Sequence, residues 1–210
     1  MSVLFIAINQ AIKETVLLGE FAMNTLDLAI TKFIEKSILS EEEIKQKISD
    51  IEIVNREIIT FLVKVSSQDV TIEDEKTISA LHHSLNDFIR EAEIADNMVK
   101  YTRSAINNNI EFSDSVYESI KKLQGMLKEQ FANIKKIMLY SDYSLIGKVK
   151  DLEDEIDNMR SSLINGHIKR LEEGTCKPQS SGIFINLISN LERAGDHLDY
   201  IADTMVNSLK

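Results

Sequence analysis

Apolar residues recur at steps of three and four along almost the whole chain, the period of a helix with one buried face. The first run predicts a helix over residues 2–37, with Ile8, Ile12, Thr15, Leu18, Ala22, Leu26, Ala29 and Phe33 on one side. At ~1.5 Å per residue this is a rod on the order of 50 Å long. Ser40 and Glu43 stand at capping-box spacing, so a second helix begins there and runs to about Val65 behind Ile44, Ile48, Ile51, Ile58 and Leu62. Thr71 and Asp74 repeat that spacing before a third helix carrying Ile78, Leu81, Leu85, Phe88, Ala92, Ala95, Val99 and Ile106. Asn107, Asn108 and Asn109 end it, since asparagine tolerates the left-handed conformation of a helix C-terminus.

The pattern then starts again. A fourth helix opens near Ser113 or Ser115, with Val116, Ile120, Leu123, Leu127, Phe131, Ile134 and Met138 as its seam. Ser141 and Asp142 are placed to cap a fifth, whose inward positions are Val149, Leu152, Ile156, Met159, Leu163 and Ile168. Residues 174–181, with the chain's single proline at Pro178, read as a loop. The last helix alternates steps of four and three through Leu187, Leu191, Ala194, Leu198, Ile201, Met205 and Leu209. Six helices thus fall into two sets of three, residues 1–109 and 110–210. Ile94-Ala95-Asp96 echoes Ala194-Gly195-Asp196. The fold class this implies is all-α, two tandem antiparallel three-helix bundles.

A second stripe runs beside the seam of the last helix. Glu192, Asp196, Asp199 and Asp203 recur at steps of four, three and four, on a line at the rim of the core. The fifth helix offers a match, because Glu153 and Asp157 each directly follow a core position, Leu152 and Ile156. Four carboxylates facing one groove repel and need a proton or cation. Oxygen-only donors suit Mg²⁺, Mn²⁺ or iron, divalent or ferric. The same spacing also serves a solvated acidic face neutralised by Arg160 and Arg193.

Composition narrows the choices. A net charge of −10 excludes nucleic acid as a natural partner, because phosphates call for clustered lysine and arginine. One cysteine excludes a disulfide framework or a cysteine zinc site and fits an intracellular protein. The apolar run Val3–Ile8 is too short to span a bilayer and lacks the marks of a signal peptide. No residue three before a histidine is glutamate, so the di-iron bundle motif is absent. Cys176 sits in a loop with no histidine beside it in sequence, an unpromising setting for a nucleophile.

The stretch Asn190-Leu191-Glu192-Arg193-Ala194-Gly195-Asp196-His197 resembles the Leu-Glu-Arg-x-Gly-Asp-His hallmark that closes each repeat of PhoU-like proteins. The resemblance spans essentially the whole chain. It implies two tandem three-helix bundles that bind metal through E/D-x-x-x-D motifs. Carried across, it assigns Glu153, Asp157, Glu192 and Asp196 as metal ligands, with His197 as a further ligand or as a hydrogen-bond partner of Asp196. The first repeat departs from the motif. Asp96 is kept, but Ala92 replaces the glutamate, with Glu93 or Glu91 as stand-ins; Ile51 and Asn55 replace two acids, leaving Glu52.

Ser67 to Asp74 stands where the regulators of phosphate-specific uptake carry Asp-Leu-Arg. That is more similar to the cytoplasmic PhoU-like domain of bacterial sodium/phosphate cotransporters, and would make this chain an excised or separately encoded domain. The implied role is regulation of phosphate transport without catalysis. The partners are a membrane transporter, a phosphate-signalling protein or a second copy of the chain, and the place is the cytoplasm, tethered to the inner face of the membrane in the transporter case. The alternatives are a free-standing uptake regulator and a metal-dependent phosphate-ester hydrolase.

Overall fold

The computed structural model describes residues 3–176 and 178–209, and the side chains of all of these but Leu209. Met1, Ser2 and the Leu209 side chain therefore lie outside what is described. Six helices account for nearly all of it: α1 (Val3–Ile34), α2 (Glu41–Ser66), α3 (Ile72–Asn107), α4 (Asp114–Tyr140), α5 (Ile146–Glu172) and α6 (Ser181–Leu209). Among the described residues there is no strand, and the all-α expectation holds.

The helix ends show which local signals act. At Thr71 the expected capping box is complete: the Asp74 amide donates to the Thr71 hydroxyl and the Thr71 amide to the Asp74 carboxylate. Ser40 makes no side-chain cap, and Glu43 pairs instead with Lys47 one turn on. Ser141 does not cap the fifth helix either. It takes the left-handed conformation (φ 55°) that closes α4, and a 3₁₀ turn, Tyr143–Leu145, intervenes before α5. The asparagine stop is as expected, with Asn109 left-handed at φ 49°.

Within each half the three helices pack on one another, and the halves join through α3 against α6 and α1 against α4. Contacts across α3 and α6 pair Asn97 and Tyr101 with Asn190, then Asp87 with His197 and His83 with Tyr200, so these two helices run antiparallel. Between α1 and α4, Lys135 bonds Glu20 while Gln124 reaches Asp27 and Thr31, which is again antiparallel.

The tightest approach is at Gly19 of α1. A Cβ there would lie 2.5 Å from the ring of Phe88, which is fully buried and meets Phe131 of α4 edge-on at 5.8 Å. Gly19 thus sets the spacing of α1 and α3. The inward faces follow the periodicity closely, with one correction in the last turn of α3, where Ile106 is exposed, and one on α5. Ile168 is exposed, and the neighbouring His167 turns inward instead, only 2% exposed.

Candidate functional site

On α6 the seam residues Leu187, Leu191, Ala194, Leu198, Ile201 and Met205 are all fully buried, which fixes the rotation of the helix and leaves the acidic line at its flank. On α5, Leu152 and Ile156 anchor the facing side. Gly195 brings the two helices together, since a Cβ there would sit 3.1 Å from Cδ1 of Ile156. Gln130 of α4 locks the arrangement from beneath. Its amide donates to the Gly195 carbonyl at 3.0 Å and lies 3.5 Å from the Val149 carbonyl, touching α5 and α6 with one side chain.

The result is a groove in which carboxylates of both helices share one field. Burial, then Asp196, Asp199, Asp154 and Asp157, push Glu153 up to about 7. Burial and Asp196 also raise Glu192, helped by Asp157 and opposed by Arg160 and Arg193. Asp199 is raised by burial and by Asp203, against Lys150. Asp199 is half-buried, and its Oδ1 is a buried atom without a hydrogen-bond partner. Two cations trim the groove: Lys150 lies 3.0 Å from Asp203, and Arg160 Nε lies 3.8 Å from Glu192 Oε1. The latter is too long for a hydrogen bond, and Arg160 Nε is itself buried without one.

The groove thus has the chemistry for a hard cation: oxygen ligands, carboxylates of Glu153, Glu192 and Asp199 raised by burial and by their acidic neighbours, and an unpartnered carboxylate oxygen on Asp199. As the side chains stand, no three Asp, Glu, His or Cys among the described residues converge closely enough to hold a metal ion.

The first repeat is different. Asp96 pairs with Lys100 at 2.7 Å and Glu93 with Arg90 at 2.6 Å, each on its own helix, and Glu52 is exposed. Ala92, one turn before Asp96, is buried in the core. Asp96 and Glu93 are thus each paired with a base on the same helix.

His197 corrects one expectation. It does not turn to Asp196. Its Nδ1 lies 2.9 Å from Oδ1 of Asp87, across the joint between the two halves. One turn along α3 from Asp87, Glu91 is fully buried and neither carboxylate oxygen has a hydrogen-bond partner. Burial, with Asp87 adding to it, raises Glu91 well above the usual carboxylate range. Asp87 went unnoticed in the sequence. The available signal was the interruption of an apolar face by acids at Asp87 and Glu91, four apart among Leu81, Leu85, Phe88 and Ala95.

Comparison with known proteins agrees with this architecture. Residues 120–205 match the PhoU domain family model, covering α5 and most of α4 and α6. No curated protein matches the chain. Among solved structures, the crystal structure of PhoU from Pseudomonas aeruginosa superposes with a TM-score of 0.88 over 98% of this chain and 98% of that one, at 15% identity. The second half thus carries a PhoU domain match, and the whole chain has the fold of that protein.

Proposed function

We propose that the protein is a PhoU-type regulator of phosphate transport or phosphate signalling, acting in the cytoplasm by docking on a transporter or sensor and not by catalysis. The observation that carries this reading is the end-to-end correspondence with the PhoU fold, joined to the PhoU domain match over residues 120–205. No helix among the described residues is long and apolar enough to cross a membrane, so a membrane partner would have to be supplied by another chain or segment.

Within that reading, Glu153, Asp157, Glu192 and Asp196 are the metal-holding residues, taking Mg²⁺, Mn²⁺ or iron. A cation there would supply the positive charge that these carboxylates lack. The chain's own contribution is to orient the acids: Gly195 and Ile156 keep the groove narrow, and Gln130 fixes both walls. The spacing of α5 and α6, and the surface they present, would then respond to metal.

The finer reading is that the transporter is a sodium/phosphate cotransporter, supported by the stretch Ser67 to Asp74 and by the apolar start of α1. Deleting the gene and measuring phosphate uptake tests both levels. Uptake that no longer falls in excess phosphate is expected, and unchanged uptake in both limiting and excess phosphate contradicts the regulatory role. If the released uptake requires sodium, the cotransporter is the partner; if it is indifferent to sodium, the partner is a sodium-independent uptake system.

A further inference from the structure

A cavity of about 940 Å³ opens between the α3–α4 joint and the end of α5 with the turn into α6. Its lining holds the chain's one cysteine, and the fold supplies the histidine that Cys176 lacks in sequence. His167, buried at the C-terminal end of α5, stacks on Phe184 with ring centroids 4.6 Å apart. Its Nε2 lies 3.0 Å from Ser181 Oγ, and its Nδ1 lies 3.7 Å from Cys176 Sγ. The thiol sulfur is also 3.3 Å from Ser180 Oγ.

This arrangement has a chemical direction. Burial, with Arg170 adding to it, lowers His167 from its ordinary value, so the imidazole is neutral near pH 7 and keeps one nitrogen as an acceptor. In the tautomer that carries its proton on Nε2 and donates it to Ser181 Oγ, the Nδ1 lone pair faces the thiol. A thiol beside an oriented neutral imidazole is the arrangement of an activated nucleophile. Arg170 lines the same cavity and offers a cation to an incoming anion, with Asn108 and Gln179 as amide donors. The acidic member of the lining, Glu111, is engaged by Lys36 at 3.2 Å.

We propose that Cys176 and His167 form a reactive thiol site that undergoes exchange with small, carboxylate-bearing disulfides. Nδ1 of His167 accepts the thiol proton as the sulfur attacks one sulfur of the disulfide. The disulfide bond breaks, a new S–S bond joins Cys176 to half of the reagent, and the other half leaves as a thiolate that takes the proton. The Cys176 sulfur is oxidised and the departing sulfur is reduced, so no further reagent is needed. The adduct would wedge between the joint of the two halves and the α5–α6 turn.

The test uses the full chain and two probes: 5,5′-dithiobis(2-nitrobenzoate), which is anionic, and 4,4′-dithiodipyridine, which is uncharged. The native chain should react with the anionic probe at least ~100-fold faster than the same chain unfolded in urea, the low end of general-base assistance. Arg170→Ala should slow the anionic probe alone, His167→Asn should slow both, and Cys176→Ser should abolish the reaction. Helical circular dichroism checks that each variant is folded. Should His167→Asn fail to fold, the native chain's pH profile decides. Assisted reaction holds its rate down to about pH 6.5, whereas an unassisted thiol loses roughly tenfold per pH unit below about 8.5. A native rate no faster than the unfolded one, or a pH profile of the unassisted kind, overturns the proposal. Incubation with oxidised glutathione should add one glutathione to the intact mass of the native chain and none to Cys176→Ser; no addition counts against the site.

Discussion

Nδ1 of His197 on α6 lies 2.9 Å from Oδ1 of Asp87 on α3, a contact between residues 110 positions apart that ties the two halves together. Both side chains are largely withdrawn from solvent, 23% and 13% exposed. A double-mutant cycle with Asp87→Ala and His197→Ala should give a coupling of about 1–2 kcal/mol in denaturant unfolding, the range of a partly buried charge-assisted hydrogen bond. Additive losses would show that the contact contributes nothing of its own.

Glu91 occupies on α3 the place that Leu191, fully buried, fills on α6 one repeat later. The folded chain holds the Glu91 proton more tightly than the unfolded chain, because burial and Asp87 raise it. Unfolding therefore releases that proton, and stability falls as pH rises from the ordinary carboxyl value toward the raised one. Glu91→Leu should stabilise the protein by about 1–3 kcal/mol at pH 8, the cost of an unpaired buried polar group, and by less at pH 4. Melting curves at the two pH values check this; a lower melting temperature for the leucine variant at pH 8 contradicts it.

Gly19→Ala forces a Cβ into the Phe88 ring, which has no room to retreat because it is fully buried against Phe131. Overpacking of this kind costs about 1–3 kcal/mol, more than the helix gains from losing a glycine. Reduced stability is expected, with Phe88→Leu in the same chain recovering part of it. Stability equal to or above the parent would mean that α1 and α3 are not held at this spacing.

Glu153 should titrate near pH 7 in metal-free protein. Its folded value is raised, so its contribution to stability declines from about pH 4.5, the ordinary carboxyl value, to about pH 7. Glu153→Gln should flatten that decline in the absence of metal. The carboxyl carbon resonance of Glu153, followed by NMR across this range, is the direct check. A midpoint at the ordinary carboxylate value would show that the α5 and α6 acids do not share a field.

Helix order, the seams and the complete cap at Thr71 were legible because each is local, resting on three- and four-residue spacing. The pairing of Glu153 and Asp157 with Glu192 and Asp196 followed from the same spacing on two helices expected to be neighbours. What failed was a matter either of local backbone conformation or of distance along the chain. Ser40 makes no cap because its backbone, at φ −103° and ψ 13°, lies outside the extended region a capping hydroxyl needs. The influence of Asp199 on Glu153 is not local, because only the fold brings the two together. Asp87 with His197, and Cys176 with His167, are meetings that packing creates between helices or across a turn. His167 did leave a trace, since it stands four residues after Leu163 on the apolar face of α5.

The groove between α5 and α6 is proposed as a metal site. Metal content of the purified chain, measured after loading with Mn²⁺, iron or Mg²⁺ and removal of free ion, tests it most directly when set against the Glu192→Ala, Asp196→Ala double variant. Bound metal is expected in the parent and its loss in the folded variant, whereas Asp96→Ala in the first repeat should leave the content unchanged. Equal occupancy in the parent and the double variant, or no retained metal in either, would contradict it.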